Sequence, residues 1–254
     1  MSYDLHTHTV FSDGDNTPEE MVKAALAKGF SAIGITDHCY TFFDESYCLQ
    51  KDKIEEYKAC VRALKEKYRG RIEVLLGIEQ DYEATAPTDD FDYVIGSVHY
   101  LKTDHGFVPV DETKEIFQKA VKEDFGGDVY ALCEAYFASA ADLVNRTHCD
   151  IIGHFDLVKR YNGDGSLFDE NHPRYLAAAQ SALDALLPAG VPFEINLGAF
   201  RSGARKDAYP ADRWIRYILD HGGKVILSGD THNMALLGQG YEKFQKYLTE
   251  KNEI

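Results

Sequence analysis

Seven short runs of apolar and β-branched residues recur along this chain, and the stretches between them leave little choice of fold. The runs read YDLHTHT, FSAIGITDH, IEVLLGIEQDY, FDYVIGSVHYL, CDIIGHFDL, PFEINLGAF and KVILSGDTHN, bounded by glycine and polar residues as strands are. Amphipathic stretches separate them. In TPEEMVKAALAKG, Thr17 stands where an N-cap belongs, Pro18 at the first helical position, Glu19 and Glu20 in the first turn, and Gly29 at the stop. Ile54, Tyr57, Val61, Leu64 and Tyr68 recur with helical spacing, as do Ile116, Ala120 and Val121. Pro210 opens a further helix, PADRWIRYILDHG, ended by Gly222. Strands alternating with helices imply a parallel sheet with helical crossovers, and seven such units imply a closed or nearly closed barrel. No repeat, low-complexity segment or Pro/Ser-rich linker interrupts the pattern. One domain spanning residues 1–254 is expected, a usual length for a single barrel.

The strand ends are chemically unlike the rest. They carry His6 and His8, Asp37 and His38, Glu79, His99, His154, and Asp230 with His232; the sixth instead ends in Glu194 and Asn196, followed by Arg201. Barrels build their sites from the C-terminal ends of strands and the loops that follow. Six of the ten histidines fall there, and only His105, His148, His172 and His221 do not. One His-x-His is as readily a half-exposed strand as a metal ligand pair. Six histidines at equivalent places point to metal.

Spacing refines the assignment. Alternate strand residues share a face, so His6 pairs with His8 and Asp230 with His232. Asp37 and His38 are adjacent and point oppositely, so His38 is assigned to the metal and Asp37 to orienting a neighbour. Asp81 shares a face with Glu79 but lies past the expected strand end, where an ordinary surface ion pair is as good a reading as a site role.

Charge and cysteine content narrow the partners. A formal net charge of −15 argues against long nucleic acid and anionic membranes, but not against a phosphorylated small molecule, because clustered cations reverse the local field. No apolar run approaches the roughly 20 residues that span a bilayer, and the first residues lack the pattern of a secretory signal. Five cysteines without a C-x-x-C pair fit a reduced, cytoplasmic chain.

With these residues assembled, the chain resembles the polymerase and histidinol phosphatase (PHP) superfamily over essentially its whole length. The motifs appear as HTHTVFSDG, TDH, GIE followed by GSVHY, and SGDTH, with GHFD before the last. GIEQDY and FDYVIGSVHY resemble the histidinol-phosphate phosphatase branch, as does Asp13 where other relatives carry a third N-terminal histidine. The resemblance implies a distorted (β/α)7 barrel with parallel strands and three divalent metal ions (Zn, Mn or Fe). His6, His8, Glu79 and Asp230 would hold the first, Glu79 would bridge to a second held by His99 and His154, and Asp13, His38 and His232 would hold the third. It further implies attack by a metal-bridging hydroxide held by Glu79 and Asp230 on a phosphomonoester, most specifically L-histidinol phosphate in histidine biosynthesis. A protonated group must supply the leaving alkoxide's proton, and no residue is identified for it.

Arg160 and Arg201 follow strands five and six, and both resemble phosphate-clamping positions of that branch. An arginine in a loop is otherwise a solvated charge, but the guanidinium fork matches phosphate oxygens in two-point contact. Lys159 should face elsewhere. The loop CYTFFDESYC offers Phe42, Asp44 and Glu45 as cover for an imidazole and partners for an amine, or as ordinary loop packing; Tyr161 has the same standing. Cys39 is expected to pack. Three competitors stand beside the phosphatase: a sibling phosphoesterase of nucleotides or other small esters, a metal-dependent amidohydrolase, and a non-catalytic metal binder. Amidohydrolases often use a bridging lysine after strand four, where this chain reads GSVHY. A degenerate binder would usually miss a ligand, and all nine positions are filled.

Overall fold

The computed structural model describes residues 3–203 and 205–248, with the side chains of residues 201 and 202 outside that description. In chain order the elements are β1 (Tyr3–Asp4), α1 (Pro18–Ala27), β2 (Ala32–Ile35), α2 (Ile54–Lys67), β3 (Glu73–Asp81), β4 (Tyr93–Ser97), β5 (Tyr100–Thr103), β6 (Gly106–Pro109), α3 (Lys114–Glu123), α4 (Val129–Ala141), α5 (Leu143–Thr147), β7 (Ile151–Ile152), α6 (Pro173–Leu186), β8 (Phe193–Asn196), α7 (Gly198–Ser202), α8 (Asp212–Asp220), β9 (Val225–Ser228) and α9 (Tyr241–Phe244). Seven strands form one parallel sheet in the order β1-β2-β3-β4-β7-β8-β9. Its edges meet at a parallel bridge between Thr7 and Thr231, where His8 N–H donates to the Thr231 carbonyl at 2.9 Å and Thr231 N–H to that of His6 at 3.0 Å. The sheet is thereby rolled into a nearly closed barrel.

The period-two alternation of the strands sorts residues between two cores. Outward residues Ile33, Ile35, Val74, Leu76, Ile78, Phe193, Ile195, Val225 and Leu227 pack against the helices in the main core. Inward residues Tyr93, Ile95, Ile151 and Ile226, with Leu5 and Leu75, form a small apolar plug inside the barrel. Further up the same inward rows the residues turn polar: Glu79 on β3, Ser97 on β4, Glu194 and Asn196 on β8, Ser228 on β9, all buried. The plug closes one end of the barrel and leaves the C-terminal strand ends for chemistry. α1 begins as expected, with Thr17 and Glu20 in a reciprocal capping box, a device worth about 1 kcal/mol.

Several boundaries differ from the sequence expectation. The first, second and fifth strands pair over only a few residues; past the first, the N–H groups of His6 and Thr7 go to the side chains of Asp4 and Thr36, and past the fifth that of His154 goes to Glu194. Asp81 ends β3 rather than lying beyond it, and is buried, so the surface ion pair is ruled out. The fourth run is divided: β4 stops at Ser97, the His99 N–H turns to Asp81 Oδ2 at 2.9 Å, and Tyr100 starts an antiparallel hairpin of β5 and β6. α8 starts at Asp212, two residues after Pro210. Among the described residues no helix is long and apolar enough to cross a membrane.

Candidate metal centre

Local structure explains how the N-terminal motif reaches the barrel mouth. After Thr7 the chain turns tightly, and Asp37 organises the turn by accepting from Thr9 N–H (2.8 Å), Thr9 Oγ1 (2.8 Å), Ser12 N–H (3.1 Å) and Ser12 Oγ (2.6 Å). Gly14 permits it, since a Cβ there would lie 2.4 Å from the His8 carbonyl oxygen. Asp13 is thereby delivered beside His8, His38 and His232. Asp37 therefore holds the loop rather than the site itself, and burial pushes its pKa up. Asp81 plays the matching part for His99, whose backbone N–H it accepts while its Oδ2 lies 3.4 Å from Nδ1. Asp230 adopts φ 50°, the left-handed region that Asp tolerates better than most residues.

All nine residues singled out as ligands line one polar centre, continuous with a cleft of about 540 Å³ at the barrel mouth. In the deepest part, His6 Nε2 is 3.3 Å from Glu79 Oε2 and 3.8 Å from Asp230 Oδ1, and His8 Nε2 is 3.6 and 3.2 Å from the same atoms. The other Glu79 oxygen faces His154 Nε2 at 2.9 Å and His99 Nε2 at 3.4 Å, and the two rings approach to 3.2 Å through those nitrogens. Nearer solvent, Asp13 lies 3.7 Å from His38 Nε2 and 3.2 Å from His232 Nε2. Grouped by mutual reach, the donor atoms form the sets His6–His8–Glu79, His38–Glu79–His99 and His8–Asp13–His38–His232. His8 and His38 each fall between two sets because one ring nitrogen faces each: His8 Nδ1 points to Asp13 (3.7 Å) while Nε2 points inward, and His38 Nδ1 lies 2.8 Å from Glu79.

These residues fit divalent ions. Many separations exceed a good hydrogen bond but match ligands about 2.1 Å from one tetrahedral ion, which stand roughly 3.4 Å apart. His6 Nε2, both nitrogens of His8 and Glu79 Oε2 are buried without a hydrogen-bond partner, a costly arrangement unless a cation uses the lone pairs. Electrostatics agree. Burial opposes charging His6, yet Glu194, Glu79 and Asp230 outweigh it and hold its pKa well above normal; His99 is raised likewise, against burial, by Glu79 and Asp81. Against burial, hydrogen bonding to Asp13 lifts His232 to about 9. Glu79 stays ionised despite burial, because His38, His6 and His99 surround it. Only His8 goes the other way, to about 3, through burial and the neighbouring His232 and His38. The cage draws positive charge, and protons and metal ions compete for the same nitrogens.

The cleft beyond this centre is lined by Arg160, Asp44, Tyr47, Tyr100, Asp111 and Glu112. Arg160, 42% exposed, donates through Nη1 to Asp111 at 3.2 Å. Tyr47 stands edge-on to His38 with ring centres 4.9 Å apart and stacks on Tyr100 at 6.0 Å. Tyr100, Asp111 and Glu112 were missed in the sequence because no motif marks them; the hairpin and the segment after it bring them in, while Tyr47 comes from the loop CYTFFDESYC, of which only Phe42, Asp44 and Glu45 were singled out. Three candidates lie elsewhere. Phe42 is exposed and packs on Phe43 and Phe107, Glu45 accepts from Tyr40, and the Tyr161 hydroxyl donates to the carbonyls of Asp111 and Glu112. The side chain of Arg201 lies outside the described residues. Lys159 does face away, into a buried ion pair with Asp156, and Cys39 packs in the core.

Comparison with known proteins agrees with this architecture. The PHP domain model matches residues 4–197. A protein of Deinococcus radiodurans named "Probable histidinol-phosphatase" is 32% identical over 249 residues, covering 92% of this chain and 88% of its own. One of Schizosaccharomyces pombe with the same name is 29% identical, covering 91% and 79%. The solved histidinol phosphate phosphatase of Lactococcus lactis, complexed with zinc, L-histidinol and phosphate, superposes with a TM-score of 0.75 at 21% identity, over 100% of this chain and 94% of that one, and so shares its fold. By the match over residues 4–197 and the relative at 32% identity, this chain belongs to the PHP domain family.

Proposed function

We propose that residues 1–254 act as one metal-dependent phosphomonoesterase domain that hydrolyses L-histidinol phosphate to L-histidinol and phosphate. The observation that carries this reading is the polarity of the cleft: a cation-holding centre at its floor, Arg160 beside it, and a rim of Asp44, Asp111 and Glu112. A substrate with a phosphate at one end and a protonated amine at the other matches both ends. The name that two relatives carry, "Probable histidinol-phosphatase", supports the same reading.

In this reading His6, His8, Glu79 and Asp230 would hold one of three divalent ions, Glu79, His99 and His154 a second, and Asp13, His38 and His232 the third. Bound there, such ions would supply the positive charge that activates water for attack and offsets the charge of the phosphoryl group. The chain's own residues do the rest. Arg160, steadied by Asp111 through one nitrogen, keeps its remaining N–H groups for phosphate oxygens, and Arg201 serves as a second clamp. Hydrogen bonds from Ser46 and Tyr100 hold the Asp44 carboxyl below its usual range despite burial, so it is ionised when an ammonium arrives. Tyr47 and Tyr100 offer ring surface to the imidazole. The cytoplasm suits an enzyme with five unpaired cysteines.

The test is phosphate release from L-histidinol phosphate beside nucleotides and sugar phosphates, with Mn or Zn supplied. A kcat/KM preference for histidinol phosphate is expected, with Arg160→Ala raising KM. Preference for a nucleotide would retain the metal chemistry and overturn the substrate. No turnover of any ester by metal-loaded protein would overturn the phosphatase reading.

A further inference from the structure

Glu194 is the strand-end carboxylate that the reading above leaves unused. It sits on β8 facing the barrel interior, with no exposed surface, and both oxygens are occupied by the protein. Oε1 takes His6 Nδ1 at 2.6 Å and the Ser228 hydroxyl at 2.7 Å; Oε2 takes the His154 N–H and Asn196 Nδ2, both at 3.1 Å. Four donors from four barrel walls thus converge on one carboxylate. Glu79 differs, since its Oε2 has no hydrogen bond.

We infer that Glu194 is a positioning residue: it fixes the His6 imidazole with Nδ1 protonated and Nε2 aimed at the metal position shared with Glu79 and Asp230, and it anchors the backbone of His154 for the neighbouring position. The inference rests on the metal reading above. An imidazole donating through Nδ1 keeps a lone pair on Nε2, and a carboxylate on Nδ1 also makes that nitrogen a better ligand. His8 has no such partner on either nitrogen, so the two members of the His-x-His motif are oriented differently: His6 by a hydrogen bond, His8 by its surroundings.

Glu194→Gln isolates the effect with little change of shape. An amide has one acceptor oxygen, so its NH2 must face two of the four donors. The His154 N–H cannot reverse, whereas the Ser228 hydroxyl can rotate to accept. The amide therefore turns its NH2 toward His6, which must then accept through Nδ1 and carry its proton on Nε2, where the metal should bind.

The experiment is zinc titration against a competing chelator for wild type and Glu194→Gln, with folding checked by circular dichroism. A loss of about 10- to 100-fold in the affinity of the tightest site is expected; unchanged affinity in a folded variant would overturn the inference. Should the variant not fold, nitrogen NMR of zinc-loaded wild type decides: His6 ligated through Nε2 with Nδ1 protonated supports the inference, and ligation through Nδ1 overturns it. Wild type that takes up no zinc would overturn the metal reading itself, and this is seen before any variant is compared.

Discussion

Two buried polar clusters sit near the mouth of this barrel, and they are built on opposite principles. In one, the Lys159 ammonium is fully buried and has each of its three donors placed: on Asp156 Oδ2 at 2.8 Å, Asp207 Oδ2 at 2.9 Å and the Ala208 carbonyl at 3.2 Å. Arg205 extends it to Asp207, Glu170 and the Lys159 carbonyl. In the other, carboxylates and imidazoles face one another across 3 to 4 Å with several buried nitrogens unused. The first supplies both signs of charge from the chain and pins the turn before Arg160 to the segment after α7. The second supplies lone pairs in excess. A polar cluster complete in itself is architecture; one that needs a cation from outside is a site.

The sharpest way to break this contrast is Glu79→Gln, which removes the carboxylate shared by the two deepest groups. Phosphate release should fall by about 10³-fold, roughly 4 kcal/mol of transition-state stabilisation, with metal content reduced and the fold retained. A variant that keeps its metals and rate would put Glu79 with the structural carboxylates. Lys159→Met should do the reverse. It strands Asp156 without its cation and leaves Asp207 to Arg205 alone, and should cost about 3 kcal/mol in urea unfolding, while zinc bound per folded chain stays as in wild type. Loss of zinc at unchanged stability would mean the two clusters are not separate.

A smaller effect is expected in acid. Burial works to raise the Asp207 carboxyl, but Lys159 and Arg205 prevail and hold its pKa below normal. A carboxylate with a lower pKa folded than unfolded adds stability above the unfolded value and loses it as pH falls through the folded one. The stability advantage of wild type over Asp207→Asn should therefore be full above about pH 4 and close below it. Unfolding both proteins in chelator between pH 3 and 6 measures this apart from the metal centre. A gap that widens in acid would contradict the assignment. The smallest change is expected from Tyr161→Phe, whose hydroxyl is satisfied by two carbonyls: a loss of about 1 kcal/mol in stability with KM for histidinol phosphate unchanged. A raised KM would return Tyr161 to the substrate.

The barrel was legible because strand and helix periods write themselves into hydrophobic patterns, and the strand-end histidines because a parallel barrel gathers all its C-terminal ends at one mouth. The roles of Asp37 and Asp81 were half legible: spacing put Asp37 opposite His38, but nothing local told that four donors of the Thr9–Ser12 turn would meet on it. The hairpin of β5 and β6 was hidden because FDYVIGSVHYL reads as one run, and its break at Ser97 depends on Asp81 capturing the His99 N–H. Phe42, Glu45 and Tyr161 were drawn in by their neighbourhood in sequence, whereas exposure and partner choice are decided by what packs against them.

By itself, then, the sequence determined the alternating barrel, the face on which its chemistry lies, and the residue types gathered there, because these follow from periodicity and from the direction of the chain. Tertiary structure alone decided which nitrogen of each histidine faces which carboxylate, which acids are saturated by protein donors and which are left for cations, and where the second buried cluster forms. Those outcomes rest on contacts between residues far apart in sequence, as His6 and Glu194 are at 188 positions, and distances between such residues are set only when the barrel closes.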